Sequence, residues 1–346
     1  MPAEWEPHAA TWLAWPHERS DWPGRFGPIP WVYAEIIRWL TGSERVRLIV
    51  QNQKAEAEAR RALKRAGVGL NSVDFLRFPT DRSWTRDYGP IFVKVGRGKS
   101  PPAVVDFQFN AWAKYPNSKR DDRIAALAAR RFGWRLIHPE VESSGRRIRF
   151  VLEGGSIDVN GAGSVLTTEE CLLSPVQARN PELSRKEIEA ALRRFLGVRD
   201  VLWLGRGIAG DDTHGHIDDI ARFTGPRTIA AAYEPDRKDP NHEPLMDNLV
   251  RLKFMEDVRG RKLNIVTLPM PRPVIFEGQR LPASYANFYI ANRVVLVPTF
   301  NDPNDRVALN TLARLFRGRQ VVGIHCLDMV WGLGTLHCLS HEEPAT

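Results

Sequence analysis

The residues best equipped for chemistry stand in one decapeptide, Gly210-Asp211-Asp212-Thr213-His214-Gly215-His216-Ile217-Asp218-Asp219, which carries two imidazoles and four carboxylates. Carboxylates crowded together raise one another's pKa and cost stability unless a cation or a proton sits between them. The stretch therefore asks for a positive partner. Two kinds fit: a divalent metal held by His214, His216 and Asp218, or a cationic substrate held by Asp while a His moves protons. The bland alternative is a polar surface turn opened by Gly210 and Asp211. Against it, the apolar Ile217, Ile220 and Phe223 mark the adjoining segment as a buried strand. Side chains on a strand repeat every second residue, so His216 and Asp218 are expected to face one pocket together.

Three further stretches are unusual for their setting. Trp84-Thr85-Arg86-Asp87-Tyr88-Gly89-Pro90 places Asp87 where a turn enters a strand. Its ordinary explanation is a turn cap neutralised by Arg86. Leu152-Glu153-Gly154-Gly155-Ser156 sets a carboxylate beside a double glycine, which either admits a close approach or merely turns the chain. Gly332-Leu333-Gly334-Thr335-Leu336-His337-Cys338 presents a thiol after a glycine loop, and a thiol is the strongest nucleophile among uncharged side chains near neutral pH. Cys171 and Cys326 lie in apolar runs and read as small core hydrophobes. Cys338 differs, because glycines precede it and the polar Ser340-His341-Glu342-Glu343-Pro344 lies just after it. A thiol, an imidazole and several carboxylates from separate segments suit a planar cation. A guanidinium offers a fork of N–H donors that two carboxylates hold, leaving its central carbon open to attack.

These groups need a scaffold. Apolar runs predict strands at 46–50, 73–78, 91–94, 104–109, 150–152, 164–168, 201–204, 228–231, 264–268, 294–298 and 321–325. Helices alternate with them. Ser184 and Glu187 form a capping box for a helix over 185–196 that Gly197 ends. A second runs over about 303–317, with Asp302 as N-cap, Pro303 in its first turn and Gly318 at its end. Five blocks of helix plus short strands result, near 31–95, 101–155, 156–205, 210–270 and 284–346. No low-complexity linker separates them, so one domain over 1–346 is expected. Six of the eleven tryptophans fall among prolines in the first 39 residues. They read as a packed wall, expected to cover the pocket.

Composition narrows the function. With 43% hydrophobic and 26% charged residues the chain is of ordinary globular type. No run is long enough to span a bilayer, and no basic-then-apolar leader opens the chain, so the cytoplasm is the expected location. Three cysteines without CxxC spacing argue against a disulfide framework or a structural zinc site. The net charge of +8 would suit nucleic acid, but basic clusters such as Arg60-Arg61 and Arg146-Arg147-Ile148-Arg149 lack interleaved aromatics and read as solvated faces.

The motifs in order resemble the agmatine deiminase and bacterial peptidyl-arginine deiminase family of the guanidine-modifying (pentein) superfamily. The likeness runs through Ala3-Glu-Trp-Glu-Pro-His8, 84–90, Phe109-Asn-Ala-Trp112, Glu153-Gly-Gly-Ser-Ile157, Thr167-Thr-Glu-Glu-Cys-Leu-Leu173, Arg179-Asn-Pro181, 210–218, Ser284-Tyr-Ala-Asn-Phe-Tyr289 and His337-Cys338. It implies an α/β fold, a five-bladed pseudo-symmetric propeller of ββαβ modules around a central active site. It implies hydrolysis of a guanidine to a ureido group and ammonia, with no metal or other cofactor. Carried over by position, Cys338 is the nucleophile, His216 the proton carrier, Asp87 and Asp218 the guanidinium holders, and Glu153 a support bonded to the substrate or to His216. Trp84 and Asp212 join Asp87 and Asp218 in binding. The expected substrate is agmatine, with peptidyl-arginine as alternative. The expected partners are therefore a small cationic guanidine and, as an assembly, a homodimer, rather than nucleic acid or membrane. Outside the class stand a metal-dependent hydrolase and a non-catalytic cation binder. Two departures from the family pattern stand out. Leu333 and Thr335 interrupt the glycines before His337-Cys338, and Ala113-Lys114-Tyr115 comes after Trp112 where the family continues with glycines. Lys114 would repel a substrate ammonium or pair with a carboxylate.

Overall fold

The computed structural model describes residues 1–96, 101–143 and 145–345. One connection recurs through it: two strands pair antiparallel, the chain crosses over through a helix, and a third strand returns parallel. Parallel neighbours cannot be joined by a tight turn, so the helix is what makes the third pairing possible. Ile91–Val93, Ala103–Val105 and Leu136–Ile137 do this around helix Ile124–Phe132. Asp158–Val159, Ser164–Thr168 and Asp200–Leu204 do it around Arg185–Leu196. Ala221–Gly225, Thr228–Tyr233 and Asn264–Pro269 flank His242–Phe254. Tyr289–Ile290, Val294–Thr299 and Gln320–His325 flank Pro303–Leu315.

A further sheet of the same kind joins the two ends of the chain. His341–Pro344 pairs antiparallel with His8–Ala14, which runs parallel to Arg45–Val50 across helix Ile29–Leu40, and Val73–Arg77 adds a further parallel strand. The final strand escapes hydrophobic patterning because its inward groups are polar. Glu343 is buried but receives Arg47 at 3.1 Å and the Trp12 indole N–H at 3.0 Å. A charge-complementary neighbour thus replaces apolar alternation.

Local signals place the helices well. Ser184 and Glu187 form the reciprocal cap, and Gly197 closes that helix at φ 70°. Asp302 caps the helix starting at Pro303, with Asp305 completing a second box, but this helix stops at Leu315 with Phe316 as its cap, short of Gly318. Strand expectations change in three places. Residues 150–152 form no strand and contribute only a bridge from Val151 to Gln108. The 104–109 strand shortens to Ala103–Val105, and Ile91–Val93 belongs to the second sheet rather than to a first block ending at 95. The core takes Trp12, Trp15 and Trp22, whereas Trp31 is half exposed at 48%. None of the described helices is long and apolar enough to cross a membrane.

Candidate active site

A cavity reaches Cys338 and Asp87. Trp84 and Trp112 line it, together with Ser20, Asp21, Arg82, Tyr115, Asp212 and Leu333. The six N-terminal tryptophans do not line it. Trp22 instead backs the Trp84 ring at 5.3 Å, so the wall supports the pocket from behind.

The glycine loop brings the thiol in. A Cβ on Gly334 would lie 2.9 Å from Trp84 Cζ3 and 3.1 Å from Cys338 Cβ, and one on Gly332 would lie 2.5 Å from Trp22 Nε1. Both positions admit only glycine. Between them Leu333 takes a left-handed φ of 65°. Thr335, the second interruption, donates its hydroxyl to Asn287 Oδ1 at 2.7 Å. Asn287 Oδ1 also accepts from the His337 amide at 3.0 Å, while its Nδ2 donates to Cys338 Sγ and to Asp219 Oδ1, each at 3.0 Å. Asn287 thus clamps the thiol loop. Sequence reasoning gives it no role, and its only signal is membership of the 284–289 motif.

Asp87 sits in the helical turn Thr85–Tyr88. Its Oδ2 accepts from Trp112 Nε1 at 2.9 Å and its Oδ1 from the Gly155 amide at 3.0 Å. Trp112 is aimed by three successive non-glycine residues, Ala111, Trp112 and Ala113, at φ 52°, 58° and 51°. Left-handed backbone costs an L-residue about 1–2 kcal/mol, so the surrounding contacts must outweigh considerable strain. Arg86 does not neutralise Asp87, as a turn cap would require. It turns away to Glu342 at 2.8 Å and Glu4 at 3.1 Å. The double glycine is a close approach: a Cβ on Gly155 would lie 2.5 Å from His216 Nδ1 and 2.8 Å from Asp87 Oδ1.

His216 and Asp218 meet, but not as alternate residues of a strand. Ile217–Asp219 is a 3-10 turn, and the strand begins only at Ala221. Asp211 shapes this loop by accepting from the amides of Thr213 at 2.8 Å, Gly215 at 2.7 Å and His216 at 3.1 Å. That carboxylate is spent on backbone donors and not on a ligand. His216 Nδ1 lies 3.8 Å from Asp87 Oδ1 and 3.9 Å from Asp218 Oδ1. His214 points elsewhere, to Ser174 Oγ at 3.0 Å and Glu170 at 3.9 Å, so His214, His216 and Asp218 do not converge as a metal triad. Asp218 Oδ2 is 2.7 Å from His337 Nδ1 and 3.6 Å from Cys338 Sγ.

Glu153 bonds to Arg179 Nε at 2.9 Å rather than to His216. One ligating atom each of Glu153, Cys171 and His216 still falls within 4.8 Å of the others, so the buried Cys171 thiol is a neighbour of the imidazole as well as a core residue. Asp212 lines the cavity, yet Lys114 pairs with one of its oxygens and the Tyr115 hydroxyl donates to the other at 2.7 Å. Of the two fates open to Lys114, pairing is the one realised.

The electrostatics favour a cation. Burial pushes the Cys338 thiol well above its usual range, and Asp218, Asp219 and Asp87 push it further. Burial also raises the Asp87 carboxyl to about 6, with Asp218 and Glu153 adding to it against the opposing His216. For Asp218 burial acts upward too, but the His337 hydrogen bond and charge outweigh it and hold the carboxyl below its ordinary value. Burial would lower the His216 imidazole. Asp87 beside it, helped by Cys171 and Asp218, raises it well above normal instead. Among the described residues, Asp218 Oδ1, Glu153 Oε2 and His216 Nε2 are buried without a hydrogen-bond partner. Two unsatisfied carboxylate oxygens beside a thiol are complementary to N–H donors on a positive ligand.

Known proteins share this framework. The agmatine deiminase of Ectopseudomonas mendocina is 33% identical over 368 residues, covering 100% of this chain and 95% of its own. The solved agmatine deiminase of Enterococcus faecalis superposes with a TM-score of 0.88 at 32% identity, covering 100% of this chain and 95% of that one. A C. jejuni agmatine deiminase with substrate bound gives 0.85 at 31% identity, covering 99% and 95%. A family model for Porphyromonas-type peptidyl-arginine deiminase matches residues 1–344. From this near-complete match and the full-length relatives, the chain belongs to the Porphyromonas-type peptidyl-arginine deiminase family.

Proposed function

We propose that this chain is a hydrolase of linear amidine C–N bonds that converts agmatine and water to N-carbamoylputrescine and ammonia, a step toward putrescine, in the cytoplasm. The observation that carries the reading is the convergence of three distant segments: Cys338 and Asp87 line one cavity, and Asp218 lies behind them, 3.6 Å from the Cys338 thiol and 3.9 Å from His216. The names of the full-length relatives support agmatine as substrate. The recurrence of the antiparallel-then-parallel unit in five sheets supports a five-bladed propeller formed as a single catalytic domain over 1–346. The working partner is a small cationic guanidine and not nucleic acid, and the assembly a homodimer.

In this mechanism Asp87 and Asp218 hold the guanidinium nitrogens, Glu153 supports the inner face, and Trp84 and Asp212 border the bound chain. The substrate cation offsets the acidic field that keeps Cys338 protonated, so binding itself promotes thiolate formation. The thiolate attacks the guanidinium carbon to form a tetrahedral adduct. The C–N bond then breaks as imidazolium His216 gives its proton to the departing ammonia, leaving an amidino thioether on Cys338. Neutral His216 next takes a proton from water, whose oxygen attacks the same carbon. The adduct collapses to the ureido carbonyl as its hydroxyl proton passes to solvent and the C–S bond breaks, returning the thiolate and releasing the ureido product.

Agmatine, arginine and an arginine-containing peptide at equal concentration are expected to release ammonia fastest from agmatine. Faster release from the peptide would move the assignment to peptidyl-arginine. Alkylation should inactivate, with protection by substrate, while chelators leave activity intact. Loss of activity to a chelator, restored by zinc, would overturn the thiol mechanism.

A further inference from the structure

The inner end of the cavity answers to a guanidinium, and the other end of the substrate must be met near the mouth. Besides Asp87, two carboxylates line the cavity, Asp21 and Asp212, and they are not equivalent. Both oxygens of Asp212 are engaged, one by Lys114 and one by the Tyr115 hydroxyl. Asp21 gives Oδ1 to Arg82, but its Oδ2 has no hydrogen-bond partner among the described residues although the side chain is only 1% exposed. A buried carboxylate oxygen left unpaired costs free energy that a ligand donor can relieve. Burial pushes the Asp21 carboxyl up to about 6 against the pull of Arg82.

Trp84 connects the two ends. Cζ3 of its indole packs at Gly334 beside Cys338, and the ring lines the same cavity as Asp21. A rigid flat ring between the thiol and Asp21 is a track on which a short alkyl chain can lie. We propose that Asp21 receives the distal ammonium of the substrate, that Trp84 guides the chain between the two ends, and that Lys114 holds Asp212 out of this role. The inference rests on the deiminase reading and makes it specific. Because Arg82 and Lys114 already balance the two carboxylates, selection depends on the open acceptor of Asp21 rather than on net charge.

The test compares agmatine with butylguanidine, which has the same chain and no amine. The native enzyme should favour agmatine about 10-fold or more in kcat/KM, the usual size of one charge-assisted hydrogen bond. Asp21→Asn should bring this ratio down toward one, chiefly by raising KM for agmatine. Lys114→Met should raise the ratio by freeing Asp212, a gain that misfolding cannot imitate. A ratio unchanged by Asp21→Asn, or one erased by Asp212→Asn instead, would overturn the proposal. Ammonia release from butylguanidine by the native enzyme reports on deimination alone. If that release occurs and the ratio ignores Asp21, only the Asp21 assignment falls; if neither compound is turned over, the deiminase reading falls and takes the assignment with it.

Discussion

Beneath the reactive residues, Glu4 meets Arg86 at 3.1 Å, Arg222 at 2.9 Å and His337 at 2.8 Å, and Arg222 continues to Asp158 at 3.1 Å. At the mouth, Lys114 pairs with Asp212 while its own side chain is 40% exposed, and Arg82 pairs with Asp21. The inner charges are all buried and most have several partners, so each is held by more than one constraint. Removing any one leaves others stranded in a medium that cannot solvate them. Lys114 is open to water, where a lost partner can be replaced, while Arg82 and the buried Asp21 face the cavity, where a ligand can serve as partner. The inner network therefore sets the geometry that Asp218 and Cys338 inherit through His337, whereas the outer pairs are where substrate preference can change without loss of the fold.

The largest effect expected is on turnover. Cys338→Ser should lower kcat by about a thousandfold or more while leaving thermal stability close to native, because the nucleophile is part of the chemistry and not of the inner ion network. An active Ser variant would separate the thiol from the reaction. Next, Arg222→Met should destabilise by about 3–5 kcal/mol in denaturant titration, since Glu4 and Asp158 would stay buried without it. A loss under about 1 kcal/mol would show that the inner network is no stronger than the outer pairs. His216→Ala should reduce turnover about a hundredfold or more with little change in KM, and near-normal kcat would exclude it as the proton carrier.

The pH response sharpens the contrast between the two ends. The Asp87 carboxyl, raised to about 6, is largely neutral below that pH and cannot fully hold a guanidinium. KM for butylguanidine should therefore fall as pH rises through about 6. The Asp21 carboxyl is also raised to about 6, so the KM for agmatine should fall more steeply over the same range, and Asp21→Asn should make the two profiles alike. The same shift has an opposite consequence for folding. With a folded value near 6 against an ordinary 3.8, Asp87 favours the folded chain most below pH 3.8, and that contribution is lost as pH rises toward 6. The smallest effect belongs to the mouth: Lys114→Met should change stability by less than about 1 kcal/mol. A larger loss in thermal or denaturant midpoint would mean that the mouth, too, is structurally indispensable.

Much of the scaffold is legible because its determinants are local. The box of Ser184 and Glu187 and the terminating Gly197 lie within a few residues of the helix they bound. The buried run Val294-Val295-Leu296-Val297 marks a strand whatever packs on it. His341–Pro344 is illegible as a strand because its pairing partner starts at the other end of the chain and its buried charges are matched by Arg47. The 217–219 turn reads as strand from its apolar spacing, yet Asp211, several residues upstream, captures the loop amides and bends the backbone first.

By itself the sequence determined the inventory: a thiol after a glycine loop, imidazoles among carboxylates, and acidic residues beside turns, all written in motifs that a family likeness could join. Partnership was decided only by tertiary structure. It set Arg179 rather than His216 on Glu153, turned His214 away, locked Lys114 onto Asp212 and left one oxygen of Asp21 open. Asn287 reaches Cys338 across 51 residues and His337 reaches Asp218 across 119. A hydrogen bond is decided within about 3 Å, and chain separation of that order leaves such distances undefined until the sheets pack. Burial then sets the charge state of the groups they bring together.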